Sequence, residues 1–386
     1  MRLPSKDELT LLAKREGEPC LSLYLPTTHV GAETSQNMTR LKNLGRKAEG
    51  LLEEHGIGAR EQGDFLKPVQ GLLDDPTLWH SQDNGLALFA APGFFRYCQL
   101  PVPVEEFATV QSCFYLVPLL CLIADDGRYL VLALGLGGTK LLQGTQHEIA
   151  EIPVEQMPKD LADALRFDEP EKQLQSHTVP SGAGAGGDRH TAVFHGHGVG
   201  TDDRKTDILR YFQQIDKALQ GIVRDEAVPL VLAGIEYLHP IYRGANSYRD
   251  LTDEGVKTNP DDLSEDELKG RAWEIVAPLV RQAQTQAIED FGQLKAGERA
   301  STNLADIIRA ATDGRVATLF VENGAHCWGT FRSAKREARV HDSPQPGDDD
   351  LLNLAAVRAF TSGARVFVMD DNDMPTDGPI AAIFRW

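Results

Sequence analysis

Residues 194–219 read FHGHGVGTDDRKTDILRYFQQIDKAL, where a glycine-rich segment gives way to a helical pattern. Ile208, Leu209, Phe212, Ile215 and Leu219 recur at intervals of three and four residues. Apolar residues at this spacing form one face of an amphipathic helix. The pattern therefore predicts a helix over 203–220, and the residues just before it, Thr-Asp-Asp, are suited to cap its first turn.

The segment that precedes this helix, residues 181–200, is polar and dense in glycine. Seven of its twenty residues are glycine, and His190, His195 and His197 lie within eight positions of one another. Glycine tolerates positive φ and allows the backbone to approach another molecule closely. The segment is therefore interpreted as a loop that reaches into a partner. A linker is the other interpretation open for a polar stretch of this length.

Strands and helices alternate along the rest of the chain, which predicts a multidomain α/β protein. Near the N-terminus, a strand over 20–26 precedes a long amphipathic helix over 34–55. Residues 115–143 are predicted as a meander of three strands, the first over 115–124, with short turns between them. The last third alternates from a buried strand at 228–233 onwards and predicts an αβα sandwich.

The helix predicted over 34–55 carries the densest basic patch of the chain. Its members are Arg40, Lys42, Arg46 and Lys47, and they lie off the apolar stripe. A solvated helix face is one interpretation of such a patch. A contact to the backbone of RNA is the other, and the pattern alone leaves both open.

Composition limits the classes of function. The chain has 386 residues, 41% hydrophobic and 25% charged, which is typical of globular proteins. Asp and Glu outnumber Lys and Arg by 57 to 39, giving a net charge of -18. This charge argues against coating nucleic acid or anionic membranes through bulk electrostatics. It leaves room for a partner held by a local basic face.

Several sequence features predict a cytoplasmic protein. The longest apolar run, residues 114–124, spans eleven positions, whereas a membrane-spanning helix needs about 20. The charged N-terminus lacks the apolar core of a signal peptide. The five cysteines show no paired spacing and are interpreted as reduced.

The sequence contains little that matches the known motifs of free-standing enzymes. Residues 182–187 satisfy the GxGxxG pattern, but they follow no predicted strand and open no helix. Walker A, GxSxG, HExxH and paired-cysteine zinc patterns are absent from the sequence. A metal site remains an alternative. Its ligands would be His190, His195 and His197, together with Asp188, Asp202 or Asp203. We predict no cofactor.

In the order of these parts, the chain resembles the bacterial branch of the archaeo-eukaryotic peptide release factor superfamily, which includes class-1 release factors and the ribosome-rescue protein Pelota. The stretches that carry the resemblance are PCLSLYLPT (19–27), RLKNLGRKAE (40–49), LLCLIADDGRYLVLALG (119–135), residues 194–219, and the last third from VPLVLAGIEYLHPIYR (228–243) to GPIAAIFRW (378–386). The resemblance implies three domains. These would be an N-terminal α+β domain (1–112), an RNase H-like middle domain carrying the glycine-rich loop (113–224) and an L7Ae/L30-like αβα domain (225–386).

The resemblance also implies a chemistry for the loop. In class-1 release factors the corresponding loop carries Gly-Gly-Gln and promotes hydrolysis of the peptidyl-tRNA ester. This sequence has no Gly-Gly-Gln and reads Gly196-His197-Gly198 instead. A histidine can orient water or act as a general base near neutral pH, which makes these three residues the candidate catalytic group. Pelota lacks the tripeptide and rescues ribosomes without cleaving the ester, so the resemblance leaves enzymatic activity open.

The resemblance implies ribosome rescue, or silencing of stalled or idle ribosomes, as the function. The sequence lacks Asn-Ile-Lys-Ser, so codon-specific termination is not expected. The expected partners are the ribosome, peptidyl-tRNA and a translational GTPase, with no membrane and no DNA. The candidate binding residues are His195, Gly200, Arg204 and Lys205 around the loop, and Arg40, Lys42, Arg46 and Lys47 on the N-terminal helix.

Two other functions remain as alternatives. One is a non-catalytic module whose C-terminal domain binds a protein or a structured RNA. The other is a histidine- or metal-dependent hydrolase or nuclease that acts on a free substrate.

Overall fold

The computed structural model of the chain describes residues 6–28, 34–75, 78–79, 84–123, 127–166, 199–223 and 228–386. They form four β-sheets with helices packed against them, which confirms the prediction of a mixed α/β protein with several sheets. The chain divides into two units, Met1–Asp126 with Val280–Trp386, and Gly127–Leu279. The RNase H-like and L7Ae/L30-like assignments, and the boundaries 1–112, 113–224 and 225–386, stay predictions. Within the described ranges, no helix is both long and apolar enough to cross a membrane.

The N-terminal part of the first unit is built around one antiparallel sheet. Its elements are α1 (Lys6–Ala13), β1 (Glu16–Pro26), α2 (Thr34–Glu54), α3 (Ala59–Leu73), β2 (Gly85–Ala91), β3 (Phe94–Leu100), β4 (Phe107–Cys113) and α4 (Val117–Ile123). The strand order is β3-β2-β1-β4. Alternate residues of a strand point to opposite faces. In β1, Leu21, Leu23 and Leu25 accordingly join the core beneath α2 and α3. Cys20 and Tyr24 join the core on the other face.

The second unit contains one five-stranded sheet. Its elements are β5 (Tyr129–Ala133), β6 (Lys140–Gly144), β7 (Ile149–Ile152), α5 (Leu161–Arg166), α6 (Val199–Val223), β8 (Leu230–Ala233), α7 (Leu238–Ala245), β9 (Leu251–Val256) and the first half of α8 (Glu265–Leu294). The strand order is β7-β6-β5-β8-β9, and β5, β8 and β9 run parallel. Helix α6 buries Ile208, Phe212, Ile215 and Leu219 against this sheet, as their spacing predicts.

The C-terminal part of the first unit adds two small sheets. Its elements are β10 (Ala300–Ser301), α9 (Leu304–Thr312), β11 (Val316–Glu322), β12 (Trp328–Arg332), β13 (Glu337–Val340), β14 (Asp349–Asp350), α10 (Leu351–Thr361), β15 (Arg365–Met369) and β16 (Ile380–Phe384). The strand orders are β10-β16-β11-β15 and β13-β12-β14. Asn353 on α10 joins the two sequence segments of this unit. Its fully buried side chain accepts from Leu116 N at 2.7 Å and donates to Phe114 O at 3.0 Å.

The prediction of a strand over 115–124 is wrong, because helix α4 occupies Val117–Ile123. A short, continuous apolar run fits a buried strand and a buried helix equally well. Pro118 lies in the first turn of α4, where its missing N–H removes no helical hydrogen bond. Leu119, Leu120 and Leu122 are buried in the core of the first unit. The three-stranded meander is formed instead by β5, β6 and β7.

Candidate functional site

The predicted catalytic residues Gly196, His197 and Gly198 lie outside the described residues, as do His190 and His195. The backbone is described again from Val199, where α6 begins. Gly200 lies in the first turn of this helix. The helix thus begins four residues earlier than the sequence pattern predicts.

Arg204 and Lys205 lie in the second turn of α6, and both are exposed. The N-terminal end of a helix carries partial positive charge, so cations there gain nothing from the helix dipole. In the sequence, Arg204 and Lys205 follow the last glycine of the glycine-rich segment by four and five residues.

A set of polar contacts fixes α6 to the turn between β5 and β6. The hydroxyl of Tyr211 lies 3.0 Å from Thr139 Oγ1 and donates to Gly135 O at 3.4 Å. Burial raises the pKa of Tyr211, and the Thr139 hydrogen bond only partly opposes this, so the hydroxyl stays protonated. A Cβ at Gly135 would collide with the carbonyl oxygen of Gly138, so the turn requires glycine there. These contacts hold the middle of α6, the helix that follows the glycine-rich segment, against this turn.

The basic residues of α2 are divided between two roles. Arg40 is half-buried and donates from Nη1 to Pro26 O at 3.2 Å, at the end of β1. Asn37 fastens the same region, because its amide nitrogen donates to Thr28 O at 2.8 Å and its amide oxygen accepts from Thr28 N at 3.2 Å. Arg40 therefore helps to hold α2 on the sheet, in addition to its predicted role in binding.

Lys42, Arg46 and Lys47 are exposed. Lys42 and Arg46 are four residues apart on the helix, so their side chains are neighbours. They line a groove of 280 Å³ between α2 and α3, together with Leu41, Gly45, Glu49, Leu66, Val69, Gln70 and Leu73. We call Lys42, Arg46 and Lys47 the basic face of α2. The role of this face in binding RNA stays a prediction.

A third polar cluster has no motif in the sequence, because its members are far apart in the chain. The ring of His326 stacks on the rings of Phe107 (centroids 5.1 Å apart) and Trp328 (5.4 Å). Its Nδ1 lies 2.7 Å from the carboxylate of Asp350. Asp350 is fully buried and caps α10 by accepting from Leu352 N at 3.0 Å.

The contact with Asp350 orients the His326 ring. The side chain of His326 is 29% exposed. An aspartate before an apolar helical run is an N-cap signal that the sequence contains. Nothing in the sequence pairs that aspartate with a histidine 24 positions away.

The two preceding aspartates have partners of their own. Asp348 contacts His341 Nδ1 at 2.8 Å, and Asp349 accepts from Ser112 N and Ser112 Oγ at 2.6 and 2.7 Å. Burial raises the pKa of Asp349, against the opposing effect of the two Ser112 hydrogen bonds. The run of three aspartates thus makes structural contacts, one of them to Ser112, 237 positions earlier in the chain. Within the ranges that the structure describes, no group of three or more His, Cys, Asp or Glu side chains is arranged to hold a metal ion.

A cleft of 710 Å³ lies where β8 and β9 end, the edge at which open α/β sheets bind ligands. Several of its polar side chains already have partners within the protein. Lys257 and Glu236 form an ion pair at 2.9 Å, and Arg243 donates to the carbonyl oxygens of Thr252 and Asp253. His239 lies 2.9 Å from Gly234 O, and burial lowers its pKa. We assign no ligand to this cleft.

Comparisons with known proteins show what this chain is similar to. The family model "Bacterial archaeo-eukaryotic release factor family 3" matches residues 128–315. This range contains the sheet of the second unit, the glycine-rich segment and α6. No curated protein matches the chain in sequence.

Three solved structures illustrate what the chain is similar to. The archaeal translation termination factor aRF1 is 16% identical over 99% of this chain and 98% of its own, with a TM-score of 0.24. Pelota from a model of ribosome-bound archaeal Pelota and ABCE1 is 10% identical over 100% and 95%, with a TM-score of 0.40. Dom34 of S. cerevisiae, described as a translation termination-like factor that interacts with Hbs1, is 10% identical over 100% and 94%, with a TM-score of 0.36.

The family match and the resemblance carried by the sequence stretches agree with each other. The chain is therefore similar to the bacterial archaeo-eukaryotic release factors, and its residues 128–315 match the model of family 3.

Proposed function

We propose that this protein associates with the ribosome and acts in the rescue or silencing of stalled or idle ribosomes. The observation that carries the proposal is the family match over residues 128–315, which includes the glycine-rich segment and the helix behind it. The basic face of α2 and the pair Arg204 and Lys205 supply exposed cations for contacts to RNA phosphates. The net charge of -18 means that such contacts must be local.

The proposed site of action is a vacant A site, entered by the segment 181–205. Two of the similar structures are described as a ribosome-bound Pelota and as a Dom34 that interacts with Hbs1. By analogy, we propose the ribosome as a partner, and a translational GTPase as a second partner. Co-sedimentation with ribosomes whose A site is vacant or filled with tRNA tests this proposal. We expect pelleting with vacant ribosomes and its loss when tRNA fills the A site. Equal pelleting in both states would place the protein elsewhere on the ribosome.

We also propose a chemical role for His197 at the peptidyl-tRNA ester. The imidazole would take a proton from a water molecule as that water attacks the ester carbonyl carbon. The bond from this carbon to the ribose oxygen then breaks, the ribose oxygen takes the proton, and the peptide leaves as a carboxylic acid. Gly196 and Gly198 would let the backbone approach the ester closely.

Release of labelled peptide from ribosome-bound peptidyl-tRNA tests this chemistry separately from binding. We expect the intact chain to release the peptide. His197→Ala should release it about 10²–10⁴-fold more slowly, which is the range for general acid–base catalysis. His197→Ala should still pellet with ribosomes. Binding without release by the intact chain would identify a non-catalytic rescue factor and refute the role of His197.

A further inference from the structure

An apolar groove lies between strand β9 and helix α8 within the second unit. It encloses 540 Å³, and its apolar lining comes from Pro229, Leu251, Ile275, Pro278 and Leu279. Leu279 is 41% exposed. Concave binding sites are lined largely by apolar side chains, with a few polar groups that fix the orientation of what they bind.

The rim of the groove is acidic. It carries the carboxylates of Asp250, Asp253, Glu254 and Glu274, and the described residues that line the groove include no Lys or Arg. Nε of Arg249 lies 3.0 Å from the carboxylate of Asp250 and partly neutralises its charge. Asp253, Glu254 and Glu274 are exposed. A concave surface lined by charges of one sign concentrates the field and attracts the opposite charge.

The acidic rim selects among possible occupants. The phosphates of RNA and the headgroups of anionic lipids would both be repelled. A protein segment with an apolar side chain between lysines or arginines matches both parts of the groove. The apolar side chain would pack against the apolar lining, and the cations would pair with the acidic rim. Long cationic side chains also contribute apolar stems that can cover the walls of a groove.

Strand β9 is at the edge of its sheet, and edge strands often receive an added strand from a partner. Here the carbonyl oxygens of Thr252 and Asp253 already accept from Arg243, at 2.8 and 2.6 Å. The ladder with β8 is also irregular between Leu230 and Leu232. The backbone of β9 therefore offers a poor template for strand addition, and side-chain contacts must provide the binding.

We propose that this groove docks a lysine- or arginine-rich segment of a protein partner, anchored by one apolar side chain against Leu279 and Ile275. The acidic rim provides the specificity for basic segments, and the apolar floor provides the anchor. This proposal does not depend on ribosome binding or on the chemistry of the glycine-rich segment.

A selection from random 12-residue peptides displayed on phage tests the proposal on the full chain. The selection is run on the intact protein, with removal of phage that bind the Asp253→Lys/Glu274→Lys variant. We expect enriched peptides to share one large apolar residue flanked by at least two Lys or Arg. A labelled peptide of the enriched sequence should bind the double variant and Leu279→Asp about ten-fold or more weakly.

Glu289→Lys provides the control, because it changes the charge of an exposed position on the same helix outside the groove. It should leave peptide binding unchanged. If the double Lys variant does not fold, the neutral pair Asp253→Asn/Glu274→Gln replaces it, with a smaller loss expected. Absence of an enriched sequence, enrichment of acidic peptides, or equal binding to the groove variants would overturn the proposal.

Discussion

Asp350 shows how one side chain can hold several elements together. Its carboxylate accepts from His326 Nδ1, from Leu352 N at the start of α10 and from Cys327 N at 3.2 Å. Removing it would leave these donors without an acceptor in a buried place. We expect Asp350→Ala to lower the free energy of unfolding by about 2–4 kcal/mol, through loss of the cap and of the buried hydrogen bonds.

Denaturant unfolding followed by circular dichroism measures this effect. Asp342→Ala is the matched control, because Asp342 lies on the same segment and is exposed; its effect should stay within about 0.5 kcal/mol. Equal effects of the two substitutions would contradict the role assigned to Asp350.

Two glycines of the second unit should respond to alanine in opposite directions. A Cβ at Gly255 would lie 2.7 Å from both His239 Cε1 and Leu232 O, so neighbouring groups would have to move. We expect Gly255→Ala to destabilise by about 1–3 kcal/mol, the cost of overpacking. At Gly270, inside α8, a Cβ meets nothing within 4 Å. Gly270→Ala should therefore stabilise by about 0.5–1 kcal/mol, because alanine favours the helix. Thermal unfolding of both variants gives the comparison, and a shift of the same sign in both would contradict this explanation.

At the scale of elements, substitutions on the basic face of α2 test RNA binding. We predict that Lys42→Glu/Arg46→Glu weakens co-sedimentation with ribosomes. The log–log slope of binding against salt concentration should also fall by about 0.7–0.9 for each phosphate that the variant no longer neutralises.

The matched control is Arg60→Glu/Lys67→Glu on the neighbouring helix α3, where both positions are exposed. It changes the net charge by the same amount within the same unit. If both double variants weaken pelleting equally, total charge and not the basic face of α2 controls the binding.

The elements that the sequence predicted well are those with a clear period. Helix α6 and strand β1 follow from apolar spacings of three to four and of two residues, and α2 begins and ends close to its predicted bounds. Strand β9 was not predicted, because its sequence LTDEGV places two exposed carboxylates at adjacent positions of an edge strand. The run 115–124 was assigned to a strand because a continuous apolar stretch contains no period that distinguishes a strand from a helix.

The candidate binding residues and the polar clusters also differ in how far the local sequence predicts them. The cations of α2 and α6 could be found from local sequence, and the structure shows that Lys42, Arg46, Lys47, Arg204 and Lys205 are exposed. Arg40 also donates a hydrogen bond to the carbonyl oxygen of Pro26, 14 positions earlier in the chain, and the local sequence does not predict this contact. The stack of Phe107, His326 and Trp328 depends on folding that brings residues from distant parts of the chain together. Tertiary contacts of this kind leave no pattern in a single sequence.

At the scale of the whole molecule, an acidic protein is proposed to bind an RNA-rich particle. The chain carries exposed cations on α2 and α6, and carboxylates around the groove beside β9. The glycine-rich segment, placed directly before α6, is the part of the chain that we propose to contact the ribosome.

Co-sedimentation with vacant bacterial ribosomes at low salt tests that contact most directly. The intact chain is compared with a deletion of residues 181–200 and with a variant in which a Gly-Ser linker of equal length replaces them. Circular dichroism spectra should confirm that all three chains are folded. We predict that the intact chain pellets with ribosomes and that both changes weaken pelleting. Undiminished pelleting of the altered chains would contradict the role of the segment, and failure of the intact chain to pellet would contradict ribosome binding itself.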